Sequence, residues 1–446
     1  MIRKRITTVA KCIISLWNIG LFAAVWFLYY NSRTFDAHWE LGGFGICVAF
    51  VIIYAWFCST YHAYRLASTN VSELIFSQIV AFGVADLILY LASCFSVHNF
   101  VNVVPGAVAV VLQIIGTSIL IIFFKHYLYA HLVPKKTIIV YGNGIEIQEV
   151  KQFSEKLHGK YPFIFQIEKF SEETEEVADF CNMVGEYEIV ILYEISHGLR
   201  GLLMKTCTEL KKTFYFTPRI EDILCQGSEE KNLTNTPLLK YKYNYYGRDG
   251  YFGKRACDVV LSIFLLVLFS PIMLITALCI KVEDRGPVFY KQKRCTKDGR
   301  IFNIIKFRSM IVDAEKDGIT LSMKNDDRIT KVGRVIRACR IDELPQLINV
   351  LKNDMSFVGP RPERPEIIAE YRESLPEFEY RCRVKGGMTG YAQVCGKYNS
   401  TPYDKLRYDL MYIENQSLYL DAKIIILTFR TIFQKGSTEG VEKNET

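Results

Sequence analysis

The chain has 446 residues, half of them hydrophobic and 13% aromatic, with a mean hydropathy of +0.12 and a formal net charge of +7. These values argue against a wholly soluble protein and against a bare bundle of membrane helices, and leave a membrane part joined to soluble domains. Thirteen cysteines without a C-x-x-C pair argue against a disulfide framework or a zinc site, while the positive charge suits an inner membrane leaflet or anionic substrates as well as nucleic acid.

Arg3, Lys4, Arg5 and Lys11 precede an apolar run over residues 12–30. The run is long for a signal peptide and lacks a small-x-small cleavage site. Further runs over 43–64, 74–97 and 103–124 each approach the ~20 residues that a bilayer core requires. Arg65, Lys125, Lys135 and Lys136 fall on the same side as the basic N-terminus, and the opposite loops hold only Arg33. Residues 1–134 therefore read as four transmembrane helices with both ends cytoplasmic. Asp86, inside the third, reads either as a proton or ligand site or as a carboxylate bonded within the bundle.

From Lys136 the pattern becomes strand and helix in alternation: strands at 137–141, 161–167, 188–193 and 213–216, helices at 145–157, 175–184 and 199–211. That order predicts an α/β domain with a parallel sheet over 135–246. Gly142-Asn143-Gly144 after the first strand invites a dinucleotide-binding reading, but Ile147 stands at the third glycine position and no acidic residue ends the predicted second strand. The domain reads as a degenerate Rossmann-like unit that regulates or dimerises. Tyrosine-rich 241–246 reads as a linker near the membrane surface.

Residues 247–446 open with Lys254-Arg255-Ala256-Cys257-Asp258 and a further apolar run at about 256–280. Basic residues flank both of its ends, and Ser270-Pro271 falls midway, where proline removes a helical hydrogen bond. A re-entrant helix that turns at Ser270 and Pro271 satisfies both facts. Next, Lys306 and Arg308 share one face of an extended segment. The run Arg328, Lys331, Arg334, Arg337, Arg340 leads into Asp342-Glu343-Leu344-Pro345. Asp342 could simply cap a helix, or the pair could serve phosphoryl transfer, which asks for a nucleophile, Mg²⁺ and cations on the phosphates. Gly359-Pro360-Arg361-Pro362-Glu363-Arg364 is a stiff turn presenting two arginines suited to phosphate. The glycine loop 385–393 offers amides for close approach to a nucleotide. Two amphipathic helices over 403–415 and 418–433 either pack on the domain or lie at the headgroups, and the tail from 436 reads as disordered.

Taken together, K-R-x-x-D, S-P within an apolar run, G-P-V-F-Y-K-Q, K-F-R-S-M, D-E-L-P-Q-L-I-N-V-L-K-x-D-M-S-F-V-G-P-R-P and G-M-T-G-Y-A-Q-V resemble the bacterial polyprenyl-phosphate glycosylphosphotransferases, the monotopic phosphoglycosyl transferases. The resemblance covers about residues 250–433 and implies an α+β catalytic domain anchored by the re-entrant helix. It implies transfer of a sugar-1-phosphate from a nucleotide diphosphate sugar, a UDP-sugar above all, to undecaprenyl phosphate. The expected setting is the cytoplasmic face of the bacterial inner membrane, at the first step of capsule, exopolysaccharide or O-antigen synthesis. It further implies Asp342 as the nucleophile forming a phosphosugar intermediate and Glu343 at Mg²⁺. Lys306, Arg308, Arg337, Arg361 and Arg364 become phosphate and nucleotide contacts. Membrane lipid and a second copy of the chain are expected partners; nucleic acid is not, since the arginines carry no base-stacking aromatic pattern. Gly386-Gly387, Tyr391 and Cys395 depart from the family's usual Pro-Gly, Trp and Asn, which bears on substrate identity. A membrane-anchored NAD-dependent dehydratase is the rival, but the only Y-x-x-x-K, Tyr419 to Lys423, lies on the last helix.

Overall fold

A computed structural model describes residues 2–433 apart from 35–39, 62, 67–68, 70, 132, 162, 174–176, 233–235, 242–247, 313–325, 327 and 397–400. The predicted linker at 241–246, apart from Tyr241, and the predicted tail from 436 lie outside the described residues. The chain divides into two compact units, Met1–Thr217 and Pro218–Thr446.

The first unit opens with α1 (Ile2–Val25), which runs on as a π-helical turn over Trp26–Tyr30, followed by α2 (Glu40–Thr60), α3 (Val71–Val97) and α4 (Val104–His131). All four are long and apolar enough to cross a membrane by length and composition. Their surface is inverted relative to a water-soluble bundle. Leu16, Leu28, Ile52, Phe95 and Phe123 are exposed, whereas Asn18, Gln78, Gln113 and Thr117 are fully buried or nearly so. In a medium without hydrogen-bonding solvent, helices gain more from bonding polar groups to one another than from burying apolar ones. Asn18 Nδ2 accordingly donates to Thr117 Oγ1 (3.0 Å) and Tyr54 OH (3.3 Å), Tyr54 OH to Gln78 Oε1 (2.7 Å) and Gln113 Nε2 to Asn18 O (3.2 Å), joining the four helices. Asp86 Oδ2 is buried and takes no hydrogen bond among the described residues.

Four parallel strands follow in the order β2-β1-β3-β4: β1 (Lys135–Tyr141), β2 (Phe165–Glu172), β3 (Ile189–Tyr193) and β4 (Thr213–Phe216). Period-two alternation sends Ile138, Val140, Val190 and Leu192 to one face, against Phe180 of α6 (Val177–Val184) and Leu203 of α7 (His197–Glu209). Ile139, Tyr141 and Ile191 go to the other, against Val150 of α5 (Ile147–Lys160). One correction concerns β2. It ends at Glu172 rather than 167, so acidic residues do close the second strand. As an edge strand it tolerates charge, and Glu168 pairs with Lys136 at 3.5 Å.

The second unit begins earlier than the predicted boundary at 247. Ile220 and Ile223 of α8 (Ile220–Gln226) sit in one core with Val358, Phe378, Leu410 and Tyr412. After the hairpin β5 (Glu229–Asn232) and β6 (Pro237–Lys240) comes α9 (Arg248–Asp284), 37 residues long. α9 stays helical through Ser270 and Pro271, the residues at which the sequence places its turn. Proline cannot donate to Val267 O, and the Ser270 hydroxyl supplies that bond at 2.8 Å. Val260, Val267, Ile275 and Leu278 are exposed along this helix, the fifth that is long and apolar enough to cross a membrane.

Both ends of α9 dock on this same unit. Near its start, Arg255 donates to Val350 O and Leu351 O (2.7 and 2.9 Å), while Asp258 accepts from Ser356 Oγ and Phe357 N (2.7 and 3.1 Å). Near its end, Ile280 packs with Phe307 and Ile336. β7 (Phe289–Cys295) and β8 (Ile301–Phe307) form an antiparallel hairpin with Tyr290 opposite Lys306. Then come α10 (Lys331–Ala338), α11 (Gln346–Leu351), β9 (Ser356–Val358), α12 (Pro365–Ser374), β10 (Gly387–Thr389) parallel to β9, α13 (Tyr391–Cys395), α14 (Pro402–Glu414) and α15 (Leu418–Phe433). Of the two placements open for the last helix, it packs on the domain: Ile424 is fully buried and Asp421 pairs with Lys254 at 2.5 Å.

Candidate active site

The acid pair sits in the connection between α10 and α11. Thr330 caps α10 by accepting from Gly333 N (2.9 Å), and Glu283 at the end of α9 accepts from Lys331 N (2.8 Å). The chain then turns through Arg340 in the left-handed region (φ 55°) into a 3₁₀ turn, Ile341–Glu343, and Pro345 leads into α11. Asp342 is therefore not the cap of a helix, which was one of its two sequence readings. Positive φ at an arginine is a strained conformation, and it aims two consecutive carboxylates out of a turn. Ile341 packs beside Ile280, so the pair lies next to the end of the apolar helix.

The two acids live in opposite surroundings. Glu343 Oε1 accepts from Lys306 Nζ and from Arg361 Nη2, both at 2.8 Å, and the Glu343 side chain is only 13% exposed. Burial alone would raise its pKa, but the Arg361 and Lys306 charges outweigh that and hold it well below the usual carboxylate range. Asp342 takes no hydrogen bond among the described residues. Burial first, and the Glu343 charge second, push it up to about 6 against the pull of Lys306, Arg337 and Arg361. One carboxylate is thus a fixed anion neutralised by two cations, while its neighbour is unengaged. That is the arrangement for a nucleophile beside an electrostatic anchor.

Of the residues singled out in the sequence, Asp342, Glu343, Lys306 and Arg361 converge. Arg337 donates through Nε to Ser309 Oγ (2.8 Å), and its charge bears on Asp342. Arg364 stands at the start of α12, where with Arg361 it adds positive potential around Arg294. Arg308 goes elsewhere. It lies one residue past β8, is 7% exposed and pairs with Asp284 at the end of α9. Lys306 and Arg308 thus reach different carboxylates, Glu343 and Asp284. Ser270 and Pro271 are within α9 and exposed.

The glycine loop is not a nucleotide cradle. Gly387 N donates to Pro360 O (2.8 Å) and Gly386 N to Thr296 Oγ1 (3.2 Å), and a Cβ on Gly387 would overlap Gly359 N. These glycines let the loop lie backbone to backbone under the arginine turn. The sequence reading gives no role to Arg294, Arg381 and Asp409 beneath that turn or to Glu363 within it, all at least half-buried. Tyr290, Gln292 and Arg294 alternate along β7 on the face that carries Lys306, a signal that was available. Burial above all, opposed by Glu363 and reinforced by Arg361 and Arg364, draws Arg294 down to about 10.

Comparison with known proteins bears on the same half of the chain. Residues 250–435 match the family described as bacterial sugar transferase. The chain is 45% identical over 184 residues to a UDP-N-acetylgalactosamine-undecaprenyl-phosphate N-acetylgalactosaminephosphotransferase of Aeromonas hydrophila, covering 41% of this chain and 44% of that protein. It is 40% identical to an uncharacterized sugar transferase of Bacillus subtilis, covering 43% of this chain and 90% of that protein. An undecaprenyl-phosphate galactose phosphotransferase of Salmonella typhimurium is 29% identical over 415 residues, covering 85% of this chain and 84% of its own. The chain thus spans less than half the length of the Aeromonas relative.

Proposed function

The chain belongs to the bacterial sugar transferase family, and on that premise we propose that it moves a sugar-1-phosphate from a UDP-sugar to undecaprenyl phosphate, opening capsule, exopolysaccharide or O-antigen synthesis at the cytoplasmic face of the inner membrane. The observation that carries this reading is the division of labour between Glu343, clamped by Lys306 and Arg361, and Asp342, left unengaged beside it. Asp342 attacks the phosphorus that bears the sugar. A P–O bond forms to its carboxylate, the bond to the nucleoside monophosphate breaks, and the monophosphate leaves with the electron pair. An oxygen of undecaprenyl phosphate then attacks the same phosphorus and releases the Asp342 carboxylate. Lys306, Arg337 and Arg361 hold the phosphate charge, Arg361 with a planar fork suited to two oxygens. Relatives named for N-acetylgalactosamine, glucose and galactose support the reaction class rather than one sugar.

The donor set suits Mg²⁺. Among the described residues no three His, Cys, Asp or Glu side chains gather as a metal cage, yet Glu343 Oε2 accepts no hydrogen bond and Asp342 adjoins it. Mg²⁺ asks for one or two carboxylates and completes its shell with water and substrate phosphate. When bound there it would offset the charge of the pyrophosphate. The docking of both ends of α9 on one unit supports a path that leaves the bilayer by the face it entered. A straight helix would set Asp258 and Asp284 about 39 Å apart.

The test is incubation of membranes with a panel of UDP-sugars and Mg²⁺, following UMP release and the phosphosugar adduct on the protein. Wild type forms the adduct with at least one sugar, and Asp342→Asn forms none. An adduct or full turnover in Asp342→Asn would overturn the assignment.

A further inference from the structure

Pro360 and Pro362 fix two φ angles of the arginine turn, but proline does nothing for the orientation of the peptide planes between them. Those planes are held from behind. Arg381 Nη2 donates to Arg361 O (3.0 Å), and Arg294 Nη1 donates to Pro362 O (3.1 Å). The two guanidinium groups share Glu363 as counter-ion: Arg294 Nη1 lies 3.4 Å from Oε2 and Arg381 Nη1 lies 3.7 Å from Oε1. Arg381 is itself fixed, stacked over Phe378 (4.7 Å to the ring centroid) and paired with Asp409 at 2.8 Å. At the front of the same turn, Arg361 meets Glu343.

Stability alone does not call for this construction. Arg381 is 4% exposed and Arg294 16%, and the Nε atoms of both are buried without a hydrogen-bond partner among the described residues. Burying two guanidinium groups with unpaired donors costs several kcal/mol, and apolar residues of similar volume would pack the site at lower cost. What the charged pair supplies is direction, because each group donates a hydrogen bond to a backbone carbonyl of the turn and is held there by a neighbouring carboxylate.

We propose that Arg294 and Arg381 are positioning residues that clamp the Arg361 turn from behind, so that the Arg361 guanidinium is delivered to Glu343 and to the donor phosphates. Neither touches substrate; both act through Arg361. The inference rests on the reading of the acid pair given above.

The experiment is a double-mutant cycle on UMP release in the full-length, membrane-embedded protein, with thermal melts of each variant in detergent. Arg361→Ala is the reference. Arg381→Lys and Arg294→Lys keep the charge but cannot reach carbonyl and carboxylate together. Each should lower kcat/KM about tenfold, mainly through KM for the UDP-sugar, with a melting temperature near wild type. In an Arg361→Ala background each should cost less than about twofold more, because the residue being positioned is gone. Full additivity, or lysine variants as active as wild type, would overturn the proposal while leaving the acid-pair reading intact. An Arg361→Ala variant with wild-type activity would remove both. Arg381→Met serves as a packing control: a lowered melting temperature with unchanged KM is the pattern of a purely structural residue and counts against the clamp.

Discussion

Glu173 in the first unit and Glu343 in the second are both buried carboxylates, and they are neutralised in opposite ways. Glu173, 6% exposed, accepts from two backbone amides, Ser196 N at 2.8 Å and Asn143 N at 3.4 Å. Those amides belong to the loops after β3 and β1, the switch point of the sheet, where doubly wound folds receive phosphates. The protein's own anion fills that crevice, and neutral dipoles satisfy it. Glu343 is met by whole charges from Lys306 and Arg361, and a second acid stands unengaged next to it. An anion fitted to amides completes a structure. A carboxylate set among more cations than it can neutralise leaves potential for a further anion to use.

The sharpest way to break this contrast is Glu343→Gln. Its removal leaves Lys306 and Arg361 half-buried and unpaired, and should destabilise the second unit by about 3 kcal/mol, read as a lowered melting temperature at pH 7.5. A neutral result would mean that solvent or another acid serves the two cations equally well.

Asp342 gives a pH-dependent test. Its pKa is raised in the folded protein to about 6, against about 3.9 in an unfolded chain. The fold therefore holds this proton more tightly, and stability is lost as pH rises through that interval. Asp342→Asn should stabilise the protein by up to about 3 kcal/mol at pH 8 and by nothing at pH 4. Wild-type turnover should fall as pH drops below about 6, where the attacking carboxylate becomes protonated. A variant equally stable at both pH values would show that Asp342 titrates as an ordinary surface acid.

The smallest effect is expected at Glu173→Gln. The amide keeps one acceptor and turns a donor toward the other backbone N–H, costing about 1–2 kcal/mol. UMP release should stay within about twofold of wild type. Loss of transfer without loss of folding would mean that the crevice takes part in the reaction.

The acid pair, Lys306 and Arg361 were legible in the sequence because short stretches spell them and each carries chemistry by its residue type. The clamp was not. Arg294 and Arg381 find Glu363 and Asp409 across tens of residues, and a lone sequence does not say which acid meets which base. The end of β2 was misplaced because the charges at Glu168 and Lys169 look like the end of a strand, whereas an edge strand carries them in solvent. Proline at 271 marks a turn of the apolar helix in the sequence because its own missing N–H is visible there. The compensating bond from the Ser270 hydroxyl is visible only in three dimensions.

The straps from Lys254, Arg255 and Asp258 have a consequence for what can be inherited, or cut, as one piece. Arg255 and Asp258 bond the main chain around α11 and β9, and Ile280 completes the core under Phe307. A chain begun after α9 would expose that core and leave Asp421 without Lys254. α9 therefore cannot be cut from the domain, and neither can α8, whose Ile220 and Ile223 share its core. Solubility cannot be engineered into it by trimming; it would have to be built by replacing the outward residues of α9, such as Val260, Val267 and Leu278, one at a time.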